Sequence, residues 1–154
     1  MYNLLALVKN AYPAFSFEPH ATFHWSPQKK AVHYVEADLE TPRGSWSLLH
    51  EVGHGQLGHE TYETDIELLH MELEAWGKAQ QSAKQFGITI PENHIQDCLE
   101  TYREWLYARS SCPFCTNAGL QIETNVYSCY NCNNTWRVSR SRHCRIYRKK
   151  QSKT

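Results

Sequence analysis

The chain has 154 residues, 41% of them hydrophobic, which suits one ordinary domain or a small domain with an appendage. Its apolar runs fall short of the roughly 18 residues that span a bilayer, and its first residues lack the basic lead and cleavage site of a secretory signal. We therefore expect a cytoplasmic protein with no membrane partner, in which the six cysteines bind metal or stay reduced.

The formal net charge of zero is a cancellation between two parts of the chain. Residues 1–132 contain 8 Lys+Arg and all 16 Asp+Glu, whereas residues 133–154 contain 8 Lys+Arg and no acidic residue. This asymmetry predicts that the basic end contacts an anionic partner, of which DNA or RNA is the usual one. The alternative is a solvated tail that touches the acidic part of the chain.

The beginning of the chain has the pattern of one helix and two strands. Residues 3–11 predict a short amphipathic helix, which Pro13 ends. Two strand-like runs follow at 21–26 and 31–38, with Pro27 at the start of the turn between them. Apolar and polar residues alternate in the second run, which indicates a sheet with one buried face.

Three longer helices are predicted next. The first begins after an N-cap at Ser45 and ends at Gly58. The second covers 62–86, where Gly87 stops it, and the third covers 91–109. In the third helix, Ile95, Leu99, Tyr102 and Leu106 keep helical spacing.

At residue 110 the composition changes to short strands and turns that carry cysteines, and the last residues are basic without a core pattern. The sequence thus predicts an α+β fold in three parts. These are a core of three helices and a small sheet at 1–109, a small β-rich region at 110–140, and a basic tail at 141–154.

His50, Glu51 and His54 form the pattern H-E-x-x-H inside a predicted helix. Residues four apart share one helix face, so both imidazoles can reach one zinc ion. Glu51 lies beside the first histidine, where it can act as general base toward a zinc-bound water. The pattern predicts a catalytic zinc, which needs a third protein ligand and one open position.

Three downstream residues are candidates for that third ligand. His59 follows the second histidine by five residues, which departs from metzincin spacing. In the next helix, Glu72 flanks the predicted core face and Glu74 points toward solvent. The residues that define this face are Tyr62, Ile66, Leu69, Leu73 and Trp76. A carboxylate beside the core is costly unless it is paired or bound to metal, so Glu72 is preferred and Glu74 is the fallback.

The stretch HEVGHGQLGH at 50–59, followed by MELEAW at 71–76, resembles the small zinc metallopeptidases of the gluzincin group, in particular the ImmA/IrrE-type peptidases and the minigluzincins. The resemblance covers roughly residues 1–109. It implies a zincin-type core with a helix, a short sheet, a zinc helix and a glutamate helix in this order. It also implies that Glu72, the first glutamate of E-x-x-A, is the third zinc ligand.

One position departs from the family pattern. Many gluzincins carry an aspartate four residues after the ligand glutamate, where it orients a zinc-binding histidine, and this chain has Trp76 there. Another acceptor must then hold the ring of His50 or His54, such as a backbone carbonyl or Asp65. The resemblance also implies that the strand at 31–38 is an edge strand that holds an extended substrate.

The other polar side chains of this part have less specific expectations. An oxyanion donor is needed, and His94, Tyr102 and Tyr107 are its candidates. The remaining histidines are predicted to be surface or polar-core residues, and these are His20, His24, His33 and His70.

Cys112, Cys115, Cys129 and Cys132 form the pattern C-x2-C-x13-C-x2-C. Four thiolates in two close pairs can surround one zinc ion tetrahedrally, which leaves no place for water and predicts a structural site. Two disulfides or a redox pair are the alternatives, and neither suits two matched pairs without an export signal. The region resembles a zinc ribbon, which is too small for a core of its own and depends on zinc to fold.

The basic end combines positive charge with aromatic surface from Trp136 and Tyr147. This combination predicts salt-sensitive contact with the backbone of DNA or RNA. The candidate contact residues are Arg137, Arg140, Arg142, Arg145 and Arg148.

The leading hypothesis is a zinc-dependent endopeptidase with one catalytic and one structural zinc ion, which its basic ribbon targets to nucleic acid or to a partner protein. SprT-like peptidases are the second family, because they also pair H-E-x-x-H with a C-terminal ribbon, but they use a third histidine. The alternative from another class is a non-catalytic zinc-binding module for nucleic-acid or protein interaction. Such a module would not need a base at Glu51.

Overall fold

The computed structural model describes residues 3–139 and 148–150, with side chains described as far as residue 139. The chain divides into two compact units, Met1–Thr61 with His70–Ile95, and Tyr62–Leu69 with Gln96–Thr154. The sequence-based division near residue 110 therefore lies inside the second unit. No helix in the described part of the chain has the length and apolar character to cross a membrane.

The fold is α+β, as predicted, and the described residues form four α-helices. These are α1 (Leu4–Ala11), α2 (Pro42–Gln56), α3 (Asp65–Ala83) and α4 (Glu92–Ser110). Short 3-10 turns lie at Glu36–Asp38 and Lys84–Phe86. All four predicted helices are present, with ends that differ from the expected ones by up to four residues.

The sheet of the first unit has three short strands, β1 (Ser16–Pro19), β2 (His24–Ser26) and β3 (Ala31–Tyr34). Their order is β1-β3-β2, with β3 parallel to β1 and antiparallel to β2. The prediction of an edge strand at 31–38 is therefore wrong, because β3 is central and β2 and β1 form the edges. The sequence did not reveal β1, which is four residues long and ends in a proline.

Helix α2 begins earlier than its predicted start at Ser45. Thr41 is the N-cap, and its hydroxyl accepts a hydrogen bond of 3.0 Å from the backbone N–H of Gly44. Pro42 occupies the first helical position, where its missing N–H costs nothing. At the other end, Gly58 has a φ of +66° and ends the helix, as predicted.

The buried face of α3 is not the apolar stripe that the sequence predicted. Tyr62, Ile66 and Leu73 are 39%, 50% and 49% exposed, although Trp76 is buried as expected. The buried positions are instead Asp65, Glu72, Ala75, Trp76, Ala79, Ser82 and Ala83. A Cβ added at Gly53 of α2 would lie 2.6 Å from the backbone oxygen of Ala75. Contact this close between two helices selects small side chains, so size rather than hydropathy decided the face.

The second unit contains an antiparallel sheet of β4 (Leu120–Glu123), β5 (Val126–Ser128), β6 (Thr135–Val138) and β7 (Arg148–Lys150), in that order. Its core packs Tyr127, Trp136 and Val138 against two cysteines, Cys112 and Cys129. Within the basic tail predicted at 141–154, residues 148–150 form a strand, and the rest of the tail lies outside the described residues. This strand pairs with β6 through its backbone, and backbone pairing does not require a hydrophobic pattern.

A buried arginine joins the helical and β parts of this second unit. Arg109 in α4 is 1% exposed, and its guanidinium donates to the Asp65 carboxylate at 2.6 and 3.1 Å. It also donates to Asn125 and to the Ser139 backbone carbonyl. The Tyr127 hydroxyl donates to the same carboxylate. A buried charge pair with this many partners is costly to break, because removing one partner leaves an unpaired charge.

Candidate metal centres

Two histidines and a glutamate meet in the first unit. His50 and His54 lie one turn apart on α2, with 3.1 Å between their Nε2 atoms. Glu72 reaches them from α3, with one carboxylate oxygen 2.9 Å from His50 Nε2 and the other 3.3 Å from His54 Nε2. All three residues are less than 9% exposed. Together they form a group that could hold a metal ion.

Close helix packing brings these three side chains together. Gly53 lies between the two histidines on α2, and its hydrogen takes the place where a side chain would meet the Ala75 backbone. Ala75 follows Glu72 by three residues, so the helix contact and the converging ligands lie on the same side of α3. The sequence preference for Glu72 as the third ligand candidate therefore agrees with the described geometry.

The side chains of this group shift one another's pKa values. Burial raises the pKa of Glu72, but hydrogen bonds with His50 and His54 outweigh burial and hold it well below its usual range. Burial lowers the pKa of His54, but Glu72 and Glu51 outweigh it and raise the value. A cation that binds here must therefore displace a proton that His54 holds more strongly than an ordinary histidine does.

Glu51 lies next to this group but contributes no ligand atom to it. Its side chain is partly buried, and burial raises its pKa, while His50 and His54 oppose the rise. A carboxyl with a raised pKa, beside a metal-binding group, is suited to accept and release a proton. This is the position that the H-E-x-x-H pattern predicts for a general base.

The two other candidates for the third ligand, His59 and the fallback Glu74, lie behind the metal-binding group. His59 directs Nδ1 to Nδ1 of His54 at 2.9 Å, on the side of that ring away from Glu72. Glu74 lies 3.1 Å from the other ring nitrogen of His59, and its side chain is 60% exposed. Neither residue contributes a ligand atom to the group. The sequence ranking of these candidates agrees with the structure, but it did not predict their contact with His54.

Trp76 and Asp65 bear on the question of which group holds the ring of His50 or His54. Trp76 stacks on the His50 ring with centroids 4.1 Å apart. Asp65 was a candidate to hold a zinc-binding histidine, and that expectation is wrong, because Arg109 and Tyr127 of the second unit occupy its carboxylate. A sequence periodicity places Asp65 on a helix side but cannot show which partner takes it.

The three candidate oxyanion donors are spread over both units. His94 belongs to the first unit, where its ring centroid lies 4.6 Å from that of Trp46 and 5.4 Å from that of Trp76. Tyr102 and Tyr107 belong to the second unit, and Tyr107 is 71% exposed.

Three histidines outside any motif also form a cluster. His24 pairs with His33 across β2 and β3, their rings stack at 4.1 Å, and the His20 ring lies 4.6 Å from His24. His33 is buried, and Glu18 lies beside it in the register of β1 and β3. The sequence expectation of surface or polar-core positions holds for each residue. The cross-strand register that gathers them was not visible without the strand pairing.

The four cysteines of the second unit converge as their spacing predicts. The Sγ atoms of Cys112 and Cys132 lie 3.6 Å apart, and those of Cys115 and Cys129 lie 3.5 Å apart. A disulfide needs about 2.05 Å between sulfurs, so all four are free thiols, and the disulfide alternative does not apply. A hydrogen bond from Asn117 lowers the pKa of Cys115 to about 6, whereas burial raises that of Cys112 to about 11.

The candidate nucleic-acid residues are only partly described. Arg137 is exposed on β6, and its register partner on β7 is Lys149. Arg148 begins β7, and its side chain is not described. Three further candidates, Arg140, Arg142 and Arg145, lie outside the described residues.

Comparisons with protein-family models, with curated proteins and with solved structures found no match to this chain.

Proposed function

We propose that this chain is a zinc-dependent endopeptidase. The observation that carries the proposal is the convergence of His50, His54 and Glu72. Glu51 follows His50 on α2 and lies beside this group. Two imidazoles and a carboxylate are a catalytic ligand set for zinc, and three protein ligands leave one coordination position for the reaction.

The distances fit zinc. A tetrahedral ion with Zn–N bonds of about 2.0–2.1 Å has ligand atoms about 3.3 Å apart. The Nε2 atoms of His50 and His54 lie 3.1 Å apart, and the two oxygens of Glu72 lie 2.9 Å from the first and 3.3 Å from the second, so the separations are close to this value. Imidazole nitrogens and carboxylate oxygens are ligands that zinc accepts. Because the third ligand candidate is a carboxylate and not a histidine, the site favours the gluzincin resemblance over the SprT-like one.

The protein's own residues have separate roles in this proposal. Zinc, when bound, supplies Lewis acidity that lowers the pKa of water and polarises the peptide carbonyl. Glu51 takes the proton of the attacking water and then delivers it to the leaving amine. Its raised pKa suits the second step, because the protonated carboxyl must be stable long enough to act as an acid.

The substrate strand is proposed to lie along β2 rather than β3. β2 is an edge of its sheet, and it lies in the same unit as α2. The backbone N–H of Trp25 in β2 donates a hydrogen bond to the Glu51 carboxylate and lowers its pKa, so this strand runs beside the proposed base. An extended peptide could add to this edge by main-chain hydrogen bonds, which place the scissile bond without requiring one specific sequence.

The second unit is proposed to hold a structural zinc ion through its four cysteines. Zn–S bonds of about 2.3 Å place tetrahedral sulfurs about 3.8 Å apart, close to the 3.5 and 3.6 Å of the two sulfur pairs. We further propose that the basic end recruits the enzyme to nucleic acid or to an acidic partner protein. Among the candidate contact residues, Arg137 is the one whose side chain the structure describes.

The test compares the wild-type chain with Glu51→Gln and Glu72→Ala. Wild type should bind two zinc ions, Glu51→Gln should also bind two, and Glu72→Ala should bind one. Proteins that change size in cells expressing wild type but not Glu51→Gln are the substrates. Glu60→Gln, at an exposed position, is the matched control and should act as wild type. Equal processing of the same proteins by wild type and Glu51→Gln would contradict the peptidase proposal.

A further inference from the structure

The end of α2 has an arrangement that the proposed peptidase site does not by itself require. The N–H of Gly58 bonds to the Gly55 carbonyl at 3.1 Å, and the N–H of His59 bonds to the His54 carbonyl at 3.0 Å. With Gly58 at a φ of +66°, these two bonds form a Schellman motif. The motif folds the chain back after the helix cap Leu57. The side chain of His59, two residues beyond the cap, therefore contacts His54, in the last turn of the helix.

In most Schellman motifs that contact is hydrophobic, but here it joins two imidazoles. The Nδ1 atoms of His54 and His59 lie 2.9 Å apart, and the ring centroids lie 5.1 Å apart. The backbone carbonyl of His59 accepts a hydrogen bond of 3.0 Å from Trp25 Nε1, so the turn is anchored to β2 as well. The side chain of His59 is only 10% exposed, which excludes most water from the contact.

Only one distribution of protons suits this contact and a metal ion together. His54 Nε2 faces His50 and Glu72, so as a ligand it must present a lone pair there, and its proton must be on Nδ1. His54 Nδ1 then donates to His59 Nδ1, which must be the bare nitrogen. The proton of His59 is consequently on Nε2, which lies 3.1 Å from a carboxylate oxygen of Glu74.

We propose that His59 and Glu74 are positioning residues that hold His54 in its metal-binding tautomer and orientation, through a Glu74–His59–His54 relay. This proposal rests on the proposed function, because it assumes a metal ion on His54 Nε2. In the gluzincin pattern an aspartate at the position of Trp76 would orient a zinc-binding histidine. Here the relay would do so instead, and it would orient His54, the second histidine of H-E-x-x-H. His50 has no comparable support, since its Nδ1 has no hydrogen-bond partner among the described residues.

The experiment uses the full chain and measures metal affinity rather than activity. Each variant is loaded with cobalt, and chelators of graded strength then remove it. The thiolate site has sulfur-to-cobalt charge-transfer absorption and the histidine–glutamate site does not, so the two sites are followed separately. His59→Ala should weaken the histidine–glutamate site by about 10- to 100-fold, the usual effect of losing such a supporting partner, and leave the thiolate site unchanged.

Two conservative variants separate a hydrogen-bonding role from a merely structural one. His59→Gln keeps an oxygen that can accept a hydrogen bond from His54 Nδ1–H, so it should recover part of the lost affinity. Glu74→Gln keeps an acceptor but removes the charge, and its effect should be smaller than that of His59→Ala because Glu74 is exposed. His70→Ala, at an exposed position on α3, is the matched control and should change nothing.

The spectroscopic readout is the His54 Nδ1 proton in the cobalt protein, which the paramagnetic ion shifts far from other signals. In wild type this proton should exchange slowly with water, and in His59→Ala it should exchange much faster. If wild type binds two metal ions, and His59→Ala has the same metal affinity and the same proton-exchange rate, the relay is wrong but the proposed function still stands. If wild type fails to bind at His50, His54 and Glu72, the proposed function is wrong and the relay with it.

Discussion

The indole of Trp76 stacks on the imidazole of His50, with their ring centroids 4.1 Å apart and 24° between their planes. Both rings are buried, and neither His50 Nδ1 nor Trp76 Nε1 has a hydrogen-bond partner in the described part of the chain. A ring contact therefore orients this histidine at the position where the gluzincin pattern has a carboxylate.

Replacing Trp76 tests whether that ring contact matters for metal binding. Trp76→Ala removes a side chain that is 4% exposed, so folding stability should fall by about 3–5 kcal/mol. Metal affinity at the histidine–glutamate site should also fall, because the His50 ring loses its orientation. Trp76→Phe keeps an aromatic face and should lose less of both. Urea unfolding and chelator competition measure the two effects, and equal metal affinity of the Ala and Phe variants would contradict the orienting role.

The contact between α2 and α3 gives a sharper test with a matched pair of glycines. In Gly53→Ala the new Cβ meets the Ala75 backbone oxygen at 2.6 Å, so the helices must separate and Glu72 must withdraw from the histidines. We expect loss of the metal ion together with lower stability. Gly77 of α3 has nothing within 4 Å of an added Cβ, so Gly77→Ala should stabilise the chain by about 0.5–1 kcal/mol. Equal metal content in the two variants would show that helix separation does not matter.

Metal binding should depend on pH through His54. Its pKa is raised by Glu72 and Glu51 above the ordinary value of about 6.5. Binding requires the deprotonated ring, so affinity should be constant above this raised pKa and fall as pH drops through it. The fall should begin at a higher pH than for an ordinary histidine site. Zinc competition from about pH 5 to 8 measures the curve, and an affinity that is flat across this range would refute the assignment.

The four-cysteine centre should control the folding of the second unit. Cys129→Ser removes one buried thiol from the cluster, so the variant should bind one metal ion fewer, and the protection of its sheet against hydrogen exchange should fall. Cys98→Ser, on α4 outside the cluster, is the control and should behave as wild type. A phosphine reductant, which does not compete for zinc as thiols do, should leave this protection unchanged, because the four cysteines of the cluster are free thiols. Full hydrogen-exchange protection after complete metal removal would contradict a structural role.

The basic end should bind single- or double-stranded nucleic acid mainly through phosphates. The logarithm of the binding constant should fall linearly with the logarithm of salt concentration, by roughly 0.7–0.9 per phosphate contact. Arg137→Ala should weaken binding to all sequences alike and reduce the slope by about one. Arg103→Ala, whose side chain pairs with Glu100 on α4, is the control. Fluorescence anisotropy at several salt concentrations measures the slope, and no binding at low salt would remove nucleic acid as a partner.

Several features of the fold and sites followed from local patterns that tertiary contacts did not change. The helix that carries His50 and His54 was predicted, and Gly58 has the flexibility that the left-handed helix end needs. The cysteine spacing predicted the group that could hold a second metal ion, since two C-x2-C pairs are a recurrent ligand pattern for zinc.

Other expectations failed because long-range contacts decided them. β3 became the central strand because β1, which has no strand pattern, pairs with it in parallel. Asp65 lies on the predicted helix, but Arg109, far along the chain, takes its carboxylate. The last strand, β7, is formed by a basic segment whose backbone completes the sheet.

The sequence by itself determined which residues could bind metal, because ligand type and local spacing depend only on neighbours along the chain. Only the tertiary structure decided how α3 presents Glu72, because the buried face was selected by the close approach at Gly53 and not by the apolar stripe. It also decided that His59 and Glu74 stand behind His54, since that contact depends on the helix-ending turn and on α3 together.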